Sequence, residues 1–425
     1  LKFHPFENHG LFVFMTTALR PPPEFVDPAS TGTFYVPTFE VRIRPAGAQK
    51  GTELPQDVVR DISEVTYKDS ISEIDSCEFK VNNWDASKRT FRYTGSEGLF
   101  PNDTDLARRQ QYFQPGNELE LWMGYLGSMK LMMRAQITTA EPDFPASGNS
   151  VLSVRALNVL HQLRKKKFTD YWPKDNSSGI KDSAVAESFN KAVDEQGRKR
   201  FPLPIKVRSL PDEPERSRVF QKDEYDIVFL LSLARRNGYV VAVRETDQQG
   251  RPEERHLYFG PSDEAQDSAG GIRYRLDWGK SLIQFRPTLT TARQVSSVTV
   301  HGWNRRTKKA IKVTVDFKDK TLGINRDLGD LEQAFQQNEE IIADRPISSE
   351  AEAKALARET LRNRLKDMIK GSGSTIGLPG LRSGGTLFIG GLGNRFSGVY
   401  FVTETTHTIG ESGYTTSFSA RREQE

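Results

Sequence analysis

Side chains able to do chemistry are few in this chain, and they do not gather. The six histidines are His4, His9, His161, His256, His301 and His407, and Cys77 is the one cysteine. A zinc site needs three or four such ligands at short spacings, and no two of these residues have metal-ligand spacing on one helix. His407 sits in a strand-like run and is read as a structural or interface histidine. No Gly-x-Ser-x-Gly elbow is present for a serine nucleophile. Gly371-Ser372-Gly373-Ser374 has the glycine content of a phosphate loop. It lacks the Lys-Ser/Thr ending and follows a predicted helix, so it is read as a linker. Glu339 and Glu340 stand side by side in a charged stretch and read as a solvated face. The sequence thus predicts no catalytic residues, no metal and no cofactor.

Two basic clusters remain, Arg164 to Lys167 and Arg198-Lys199-Arg200. Either could grip an acidic partner, but neither has the interleaved aromatics of a single-strand stacking platform. The chain carries 60 basic and 56 acidic side chains, for a net charge of +4. Such a balance makes no electrostatic case for nucleic acid and favours salt-bridged or solvated clusters. One cysteine excludes an internal disulfide and fits a reducing compartment. No run approaches the roughly 20 apolar residues that span a bilayer. The Leu11–Met15 patch is too short for a signal-peptide core. Met15 reads as a natural start, which makes residues 1–14 an expected extension.

The elements read as follows. Residues 1–33 form an arm or extension, rich in Pro, Thr and Gly over 16–33. Alternation at Phe39, Val41 and Ile43, at Cys77, Phe79 and Val81, at Leu119 to Tyr125 and at Leu131 to Ile137 predicts half-buried strands. These make residues 34–157 one β-barrel or sandwich domain. Residues 158–280 are a mixed α/β middle region. There a short helix starts at Val159 and runs towards Lys167, and another lies near Ser183 to Val193. An Asp-capped helix runs from Asp223 to Asn237 and stops at Gly238. A hairpin pairs Tyr239–Val243 with Leu257–Phe259 across the loop 247–254. Residues 281–422 return to strands, with a polar excursion at 318–347 that holds a helix around Asp330 to Glu340. Ser349-x-x-Glu352 is a capping box. Its helix, placed at 349–370, buries Ala353, Leu356, Ala357, Leu361, Leu365 and Met368. Trp84, Trp122 and Trp303 occupy strand or turn positions and read as core or interface anchors.

One pattern occurs twice. Gly116-Asn117-Glu118-Leu119 precedes the turn Gly124-Tyr125-Leu126-Gly127, and Gly384-Gly385-Thr386-Leu387 precedes Gly390-Gly391-Leu392-Gly393. A second and a third strand follow each, ending at Leu152–Ala156 and Tyr414–Ala420. The rival reading is two unrelated hairpins, since the glycines span eleven positions in one case and nine in the other. Read as copies, they predict that residues 34–157 and about 281–420 share one β-barrel fold.

The C-terminal segment also carries a resemblance. Its residues are Glu352-Ala353-x-Ala355-Leu356-Ala357, Thr375-Ile376-Gly377-Leu378-Pro379-Gly380-Leu381-Arg382-Ser383-Gly384, Phe396-Ser397-Gly398-Val399-Tyr400-Phe401-Val402, His407 and Tyr414-x-x-x-Phe418. Together with Tyr225 to Leu230, Leu233 to Tyr239 and Leu157 to Leu163, they resemble the baseplate hubs of contractile tails. That family holds the phage late-control D proteins and the hub part of VgrG spikes. The likeness covers roughly residues 34–422 and is closest in style to hubs of extracellular contractile injection systems.

The resemblance implies a mainly β chain with helices (α+β, multidomain) in which residues 34–157 and 281–422 are two domains like the tail-tube protein. It implies a homotrimer whose six β-units mate with a hexameric inner tube or tube-initiator protein on one side and a spike protein on the other. Baseplate wedge proteins are further expected partners. Membrane insertion, a specific nucleic acid and catalysis are not expected. The signature turns would be Gly124, Leu126, Gly127, Gly377, Pro379, Gly384, Gly390, Leu392, Gly393 and Gly398. No spike repeat is seen before Glu425: either the spike is a separate protein, with Arg421 and Arg422 then lying near it, or the sequence is truncated here. Such a particle is assembled in the bacterial cytoplasm and released or attached to the envelope. The alternatives are the hub portion of a VgrG-type spike, a tail-tip enzyme that degrades cell wall, and a nucleic-acid module built on the basic clusters.

Overall fold

The computed structural model describes residues 25–28, 36–48, 51–95, 97–146, 149–175, 179–211, 213–246, 252–261, 273–292, 294–304, 307–319, 338–344, 347, 349–366 and 368–422. Strands take 50% and helices 19%, so the chain is mainly β with some helix, as its alternating runs predict. The strands that build the main sheet are β1 (Pro37–Arg44), β2 (Ile62–Ser70), β3 (Ser76–Asn82), β4 (Glu118–Tyr125), β5 (Ser128–Asp143) and β6 (Val151–Asn158). After the middle region come β7 (Tyr274–Asp277), β8 (Leu282–Leu289), β9 (Ile369–Ile376), β10 (Thr386–Gly390), β11 (Gly398–Gly410) and β12 (Gly413–Arg422). The longer helices are α1 (Thr104–Tyr112), α2 (Asp226–Asn237) and α3 (Glu350–Lys366).

The first six strands pair in the order β2-β3-β6-β5-β4-β1, and the last six in the order β8-β9-β12-β11-β10-β7. These are the same path, strand for strand. The likeness extends to single hydrogen bonds. Gly116 N donates to Ile137 O and Ile137 N to Asn117 O, both at 2.8 Å; Gly384 N donates to Val402 O and Val402 N to Gly385 O, both at 2.8 Å. Gly116 and Gly384 have φ of 98° and 79°, a conformation that favours glycine at both strand entries. A bulge follows at Thr138 and at Thr403, and the threonine hydroxyls donate to Arg155 O (3.3 Å) and Ser419 O (3.1 Å). Bulges also fall at equivalent places in β2 (between Ile62 and Glu64) and β8 (between Leu282 and Gln284). One strand differs: β1 runs antiparallel to β4, whereas β7 runs parallel to β10.

Neither set closes into the expected barrel. The path among the described strands ends at β8 on one side and at β1, with the short Thr52–Glu53, on the other. The reason lies in β11. Its first part pairs with β10; Glu404–Ile409 stays paired with β12 on one side and on the other pairs antiparallel with Val65–Ser70 of β2. One ladder thus joins the two units into a continuous sheet.

Each unit has its own core. Val41, Val65, Phe79, Leu121 and Val154 fill the first, and Leu276, Val300, Leu361, Leu387 and Tyr400 fill the second. Capping works as the sequence predicts for α3, where Ser349 Oγ accepts from Glu352 N at 3.2 Å. That helix stops at Lys366, short of residue 370; Met368 is buried, and Gly371 to Ser374 lie inside β9 instead of a linker. The glycines are there because the space is taken. A Cβ on Gly371 would stand 2.5 Å from Phe285 Cζ, and one on Gly373 would stand 2.8 Å from Phe418 Cζ.

The middle region packs Trp172, Phe189, Phe229 and Leu230 in a third core. Helix α2 begins at Asp226 and not at Asp223, which sits at φ 49° at the end of the strand Val219–Tyr225. Gly238 ends it in the left-handed conformation. Val159–Arg164 is a single 3-10 stretch, and a strand starts at Lys167, so the helix expected to reach Lys167 is shorter. An α-helix Asp182–Ser188 and a 3-10 turn Phe189–Lys191 stand where a helix to Val193 was expected. Glu339 and Glu340 belong to the strand Glu339–Ile342, which cuts short the helix expected there; the rest of that helix, most of the arm and the loop 247–251 lie outside the described residues. No described helix is long and apolar enough to cross a membrane.

The junction has a local test. Gly377 N donates to Tyr414 O at 2.9 Å, and its own carbonyl accepts from Tyr125 of the first unit at 3.0 Å. A Cβ on Gly377 would lie 2.0 Å from Tyr414 Cγ. We expect Gly377→Ala to cost about 1–3 kcal/mol through overpacking, read as a lower thermal midpoint. An unchanged midpoint would show that the ring can move aside.

Candidate functional site

The continuous sheet has two unlike faces. Alternation along β2, β3, β6, β11 and β12 buries Val65, Phe79, Val154, Thr405 and Phe418 on one side. The other side carries Thr66, Lys68, Lys80, Ser153, Thr406 and Ser417, which are half-buried or exposed. Its charges alternate and pair: Lys68 with Glu404 at 3.2 Å, Lys80 with Glu64 at 2.7 Å, and Arg155 with Glu78 at 4.0 Å. Over the second unit this face forms a shallow, open depression of about 370 Å³ lined by Gln284, Arg286, Ser374, Glu404, Thr406 and Ser419. Small hydroxyl side chains and paired charges make a wettable surface with little to hold a ligand. Among the described residues no group of three or more His, Cys, Asp or Glu side chains is placed to hold a metal ion.

Behind the joining ladder lies a buried polar network. The segment Gly377–Gly385 crosses from the second unit onto the first and lays Arg382 across it. Arg382 Nε donates to Asp69 at 2.9 Å, and its Nη2 reaches the Tyr67 hydroxyl and Met132 O. The guanidinium stands 4.7 Å from the Tyr67 ring centroid. Asp69, buried to 3% exposure, also accepts from Ser383 N at 3.2 Å and from the Thr405 hydroxyl. His407 Nε2 lies 3.0 Å from Leu381 O, so the proton sits on Nε2, and Nδ1 accepts from Tyr414 or Thr416, each at 3.1 Å. These contacts tie strands of both units to one crossing segment.

The network also sets the charge states. Burial lowers the His407 pKa to about 4; Arg382 works the same way, against the attraction of Asp69. Burial and the nearby Asp69 raise Asp75, which accepts from Asn158 Nδ2 at 2.9 Å, to about 7. Burial raises the Tyr67 hydroxyl well above its usual range. The histidine is therefore neutral at physiological pH and is a structural group, as its isolation in the sequence suggests.

The residues singled out in the sequence scatter over this frame. Leu126 and Gly127 form the tight turn between β4 and β5, with Gly124 the last residue but one of β4. Gly390 ends β10, and Leu392 and Gly393 lead into a single helical turn, Gly393–Phe396, before Gly398 opens β11. Register sets Gly390 level with Trp122, so the two Gly-x-Leu-Gly turns stand in different places, which accounts for their unequal spacing. Gly377, Pro379 and Gly384 lie along the crossing segment. Arg421 lies over the Phe401 ring at 4.8 Å, and Arg422 donates to Arg395 O. Arg200 is buried against Asp226 and Asp170, while Arg198, Lys166 and Lys167 pair with Asp194, Glu195 and Asp223. The basic clusters are thus largely neutralised from within. Asp69, Tyr67 and Arg382 escaped sequence reasoning as a site, because a charged pair more than 300 residues apart leaves no local pattern.

Solved structures of tail proteins, two of them from prophages, share this fold. The 43 kDa tail protein of prophage MuSo2 from Shewanella oneidensis superposes with a TM-score of 0.57 at 12% identity, over 91% of this chain and 98% of that one. A tail protein from Neisseria meningitidis MC58 gives 0.56 at 11% identity, over 92% and 97%. Prophage tail protein gp18 from Listeria monocytogenes EGD-e gives 0.51 at 11% identity, over 91% and 95%. No curated protein matches. The pattern of the family described as "Alg8 N-terminal domain" matches residues 48–411.

The depressed His407 pKa carries a sign. The unfolded histidine takes up a proton near 6.5, while the native one resists until about 4. Its contribution is therefore present above pH 6.5 and is lost as pH falls from there to 4, by on the order of 3 kcal/mol. Asp75 acts oppositely, losing its contribution as pH rises towards 7. The difference between wild type and His407→Gln isolates the histidine. We expect the wild-type thermal midpoint to fall more steeply between pH 6.5 and 4 than that of the variant; parallel curves would refute a buried neutral histidine.

Proposed function

The chain belongs to the family described as Alg8 N-terminal domain, and on that premise we propose that it is the structural hub of a phage-tail-like baseplate. In this reading three copies form a ring that joins an inner tube to a spike and passes on the force of contraction without catalysis. The observation that carries it is the duplicated six-strand path in one continuous sheet. Three chains with two such units each present six β-units. That number matches the hexameric tube implied by the hub resemblance, while the three chains suit a threefold spike. The fold shared with the tail proteins supports a place in a tail assembly.

The polar sheet face suits the wall of a channel, since paired charges and hydroxyls give a passing solute little to bind. A force-bearing part needs a junction that does not yield. The Arg382–Asp69 contact and the ladder from Glu404–Ile409 to Val65–Ser70 supply one inside each chain. The two units would be the tube-like domains, with residues 158–280 between them. Arg421 and Arg422, at the end of β12, would stand towards the spike. The particle would be assembled in the bacterial cytoplasm and carried in a baseplate that is released or attached to the envelope.

Sedimentation velocity at micromolar concentration tests this reading. We expect a species of three 48.0 kDa chains, alone or once a tube or spike partner is added. A monomer under all these conditions would overturn it.

A further inference from the structure

Two sheet edges match the two sides of the internal junction, and each lacks a partner among the described strands. In that junction the far half of β11 (Glu404–Ile409) pairs with β2. The counterpart of that half in the first unit is the end of β5, from Thr139 onward. It pairs with β6 on one side, and its pairing with β4 stops at Gln136. The counterpart of β2 in the second unit is β8, whose one ladder among the described strands is with β9, apart from a single bridge from Leu282 to Trp278. Within one chain these edges stand seven strand steps apart, roughly 34 Å along the sheet, and no described ladder joins them.

We infer that the end of β5 in one copy pairs with β8 of the next copy, in the register of the internal β11–β2 ladder. The inference rests on the ring proposed above and names the contact that closes it. The matched bulges fix the register. Glu404, Thr405, Thr406, His407 and Thr408 correspond to Thr139, Ala140, Glu141, Pro142 and Asp143. Thr66, Tyr67, Lys68, Asp69 and Ser70 correspond to Arg286, Pro287, Thr288, Leu289 and Thr290. Transferring the internal pairs sets Glu141 opposite Thr288 and Asp143 opposite Arg286 of the neighbouring copy. An acid then faces a base, both exposed in the single chain.

The same transfer sets Pro142 opposite Pro287. Ile71 N donates to Thr403 O at 3.1 Å, and alternation from that bond makes His407–Tyr67 a hydrogen-bonded pair. Each proline therefore turns its missing N–H towards the open edge, where it costs its own unit nothing. The seam would lose its ladder bonds at that level and keep those at Ala140–Leu289 on one side and Phe144–Phe285 on the other. Such a gap explains why neither edge is an open template for any passing strand. A second copy, whose charges and bulges fall in step, is the occupant that fits.

Cysteine pairing tests the register. Glu141 and Thr288 would form a non-hydrogen-bonded pair, where β-carbons approach closest. Cys77 is buried, and burial keeps its thiol protonated, so it stays out of the reaction. We expect the Glu141→Cys/Thr288→Cys double variant, oxidised mildly, to give rings of three linked chains on a non-reducing gel. The out-of-step variant Glu141→Cys/Gln284→Cys should give few. A three-chain particle without the 141–288 link would sink the seam and leave the ring standing; a monomer would sink both. Should the cysteine variant fail to fold, charge exchange decides. Asp143→Arg should weaken association on dilution by tenfold or more, and adding Arg286→Asp should restore it. No restoration would overturn the seam.

Discussion

The structure depends on the ladder that joins β11 of the second unit to β2 of the first. Without it the chain would be two small open sheets, each with a bare edge and a leaking core. With it, Ile409 and Tyr414 from the last hairpin enter the core of the first unit. Parallel shifts of such a ladder are costly, because a slip by one residue turns every side chain to the other face. The Asp69–Arg382 pair adds to that constraint. Buried ion pairs gain little net stability against apolar substitutes, yet breaking one leaves a buried charge alone. Here Asp69 is answered by Arg382 and Ser383 of the crossing segment and by the Thr405 hydroxyl of β11, so the pair ties the crossing segment to the register of that ladder.

The two units keep the path and change the filling. At one cross-strand level the first unit sets Val65 beside Phe79, and the second sets Phe285 beside Gly373. One level on, Tyr67 faces Cys77, and Pro287 faces Gly371. In the first case the aromatic ring has moved from one strand to its neighbour, and the residue facing it has gone from valine to glycine. The glycines of β9 follow from this and need no functional role of their own.

This trade also explains what the sequence could and could not disclose. Strands with strict alternation, such as Cys77 to Val81 or Leu119 to Met123, were legible because one face is buried and the other is not. Gly116 and Gly384 were legible as repeated entries because both need a positive φ. Gly371 to Ser374 misled, since a strand whose neighbours supply the rings reads as a linker. Asp223 misled as a cap because Asp226, three residues on, is buried against Arg200 and begins the helix. The expected barrels did not follow from alternation alone: whether a sheet shuts on itself or joins its neighbour depends on partners hundreds of residues away. For the same reason the Tyr67–Asp69–Arg382 network had no local signal.

The differences between the units point in one direction. The β11–β2 junction is continuous, with His407 and Tyr67 at the level where the open edges carry Pro142 and Pro287. A junction formed while the chain folds can rely on an unbroken ladder, because its two strands are tethered. An edge that must wait for another molecule is exposed meanwhile to every other unpaired strand, and proline is a direct defence. The defence costs ladder bonds, so the waiting edge must recover affinity from side chains. Asp143 and Arg286 stand where their counterparts Thr408 and Thr66 carry no charge. The permanent junction has a charged pair of its own, Lys68 with Glu404, where the open edges carry Thr288 and Thr139, so the two kinds of seam place their charges at different levels and are kept from pairing with each other.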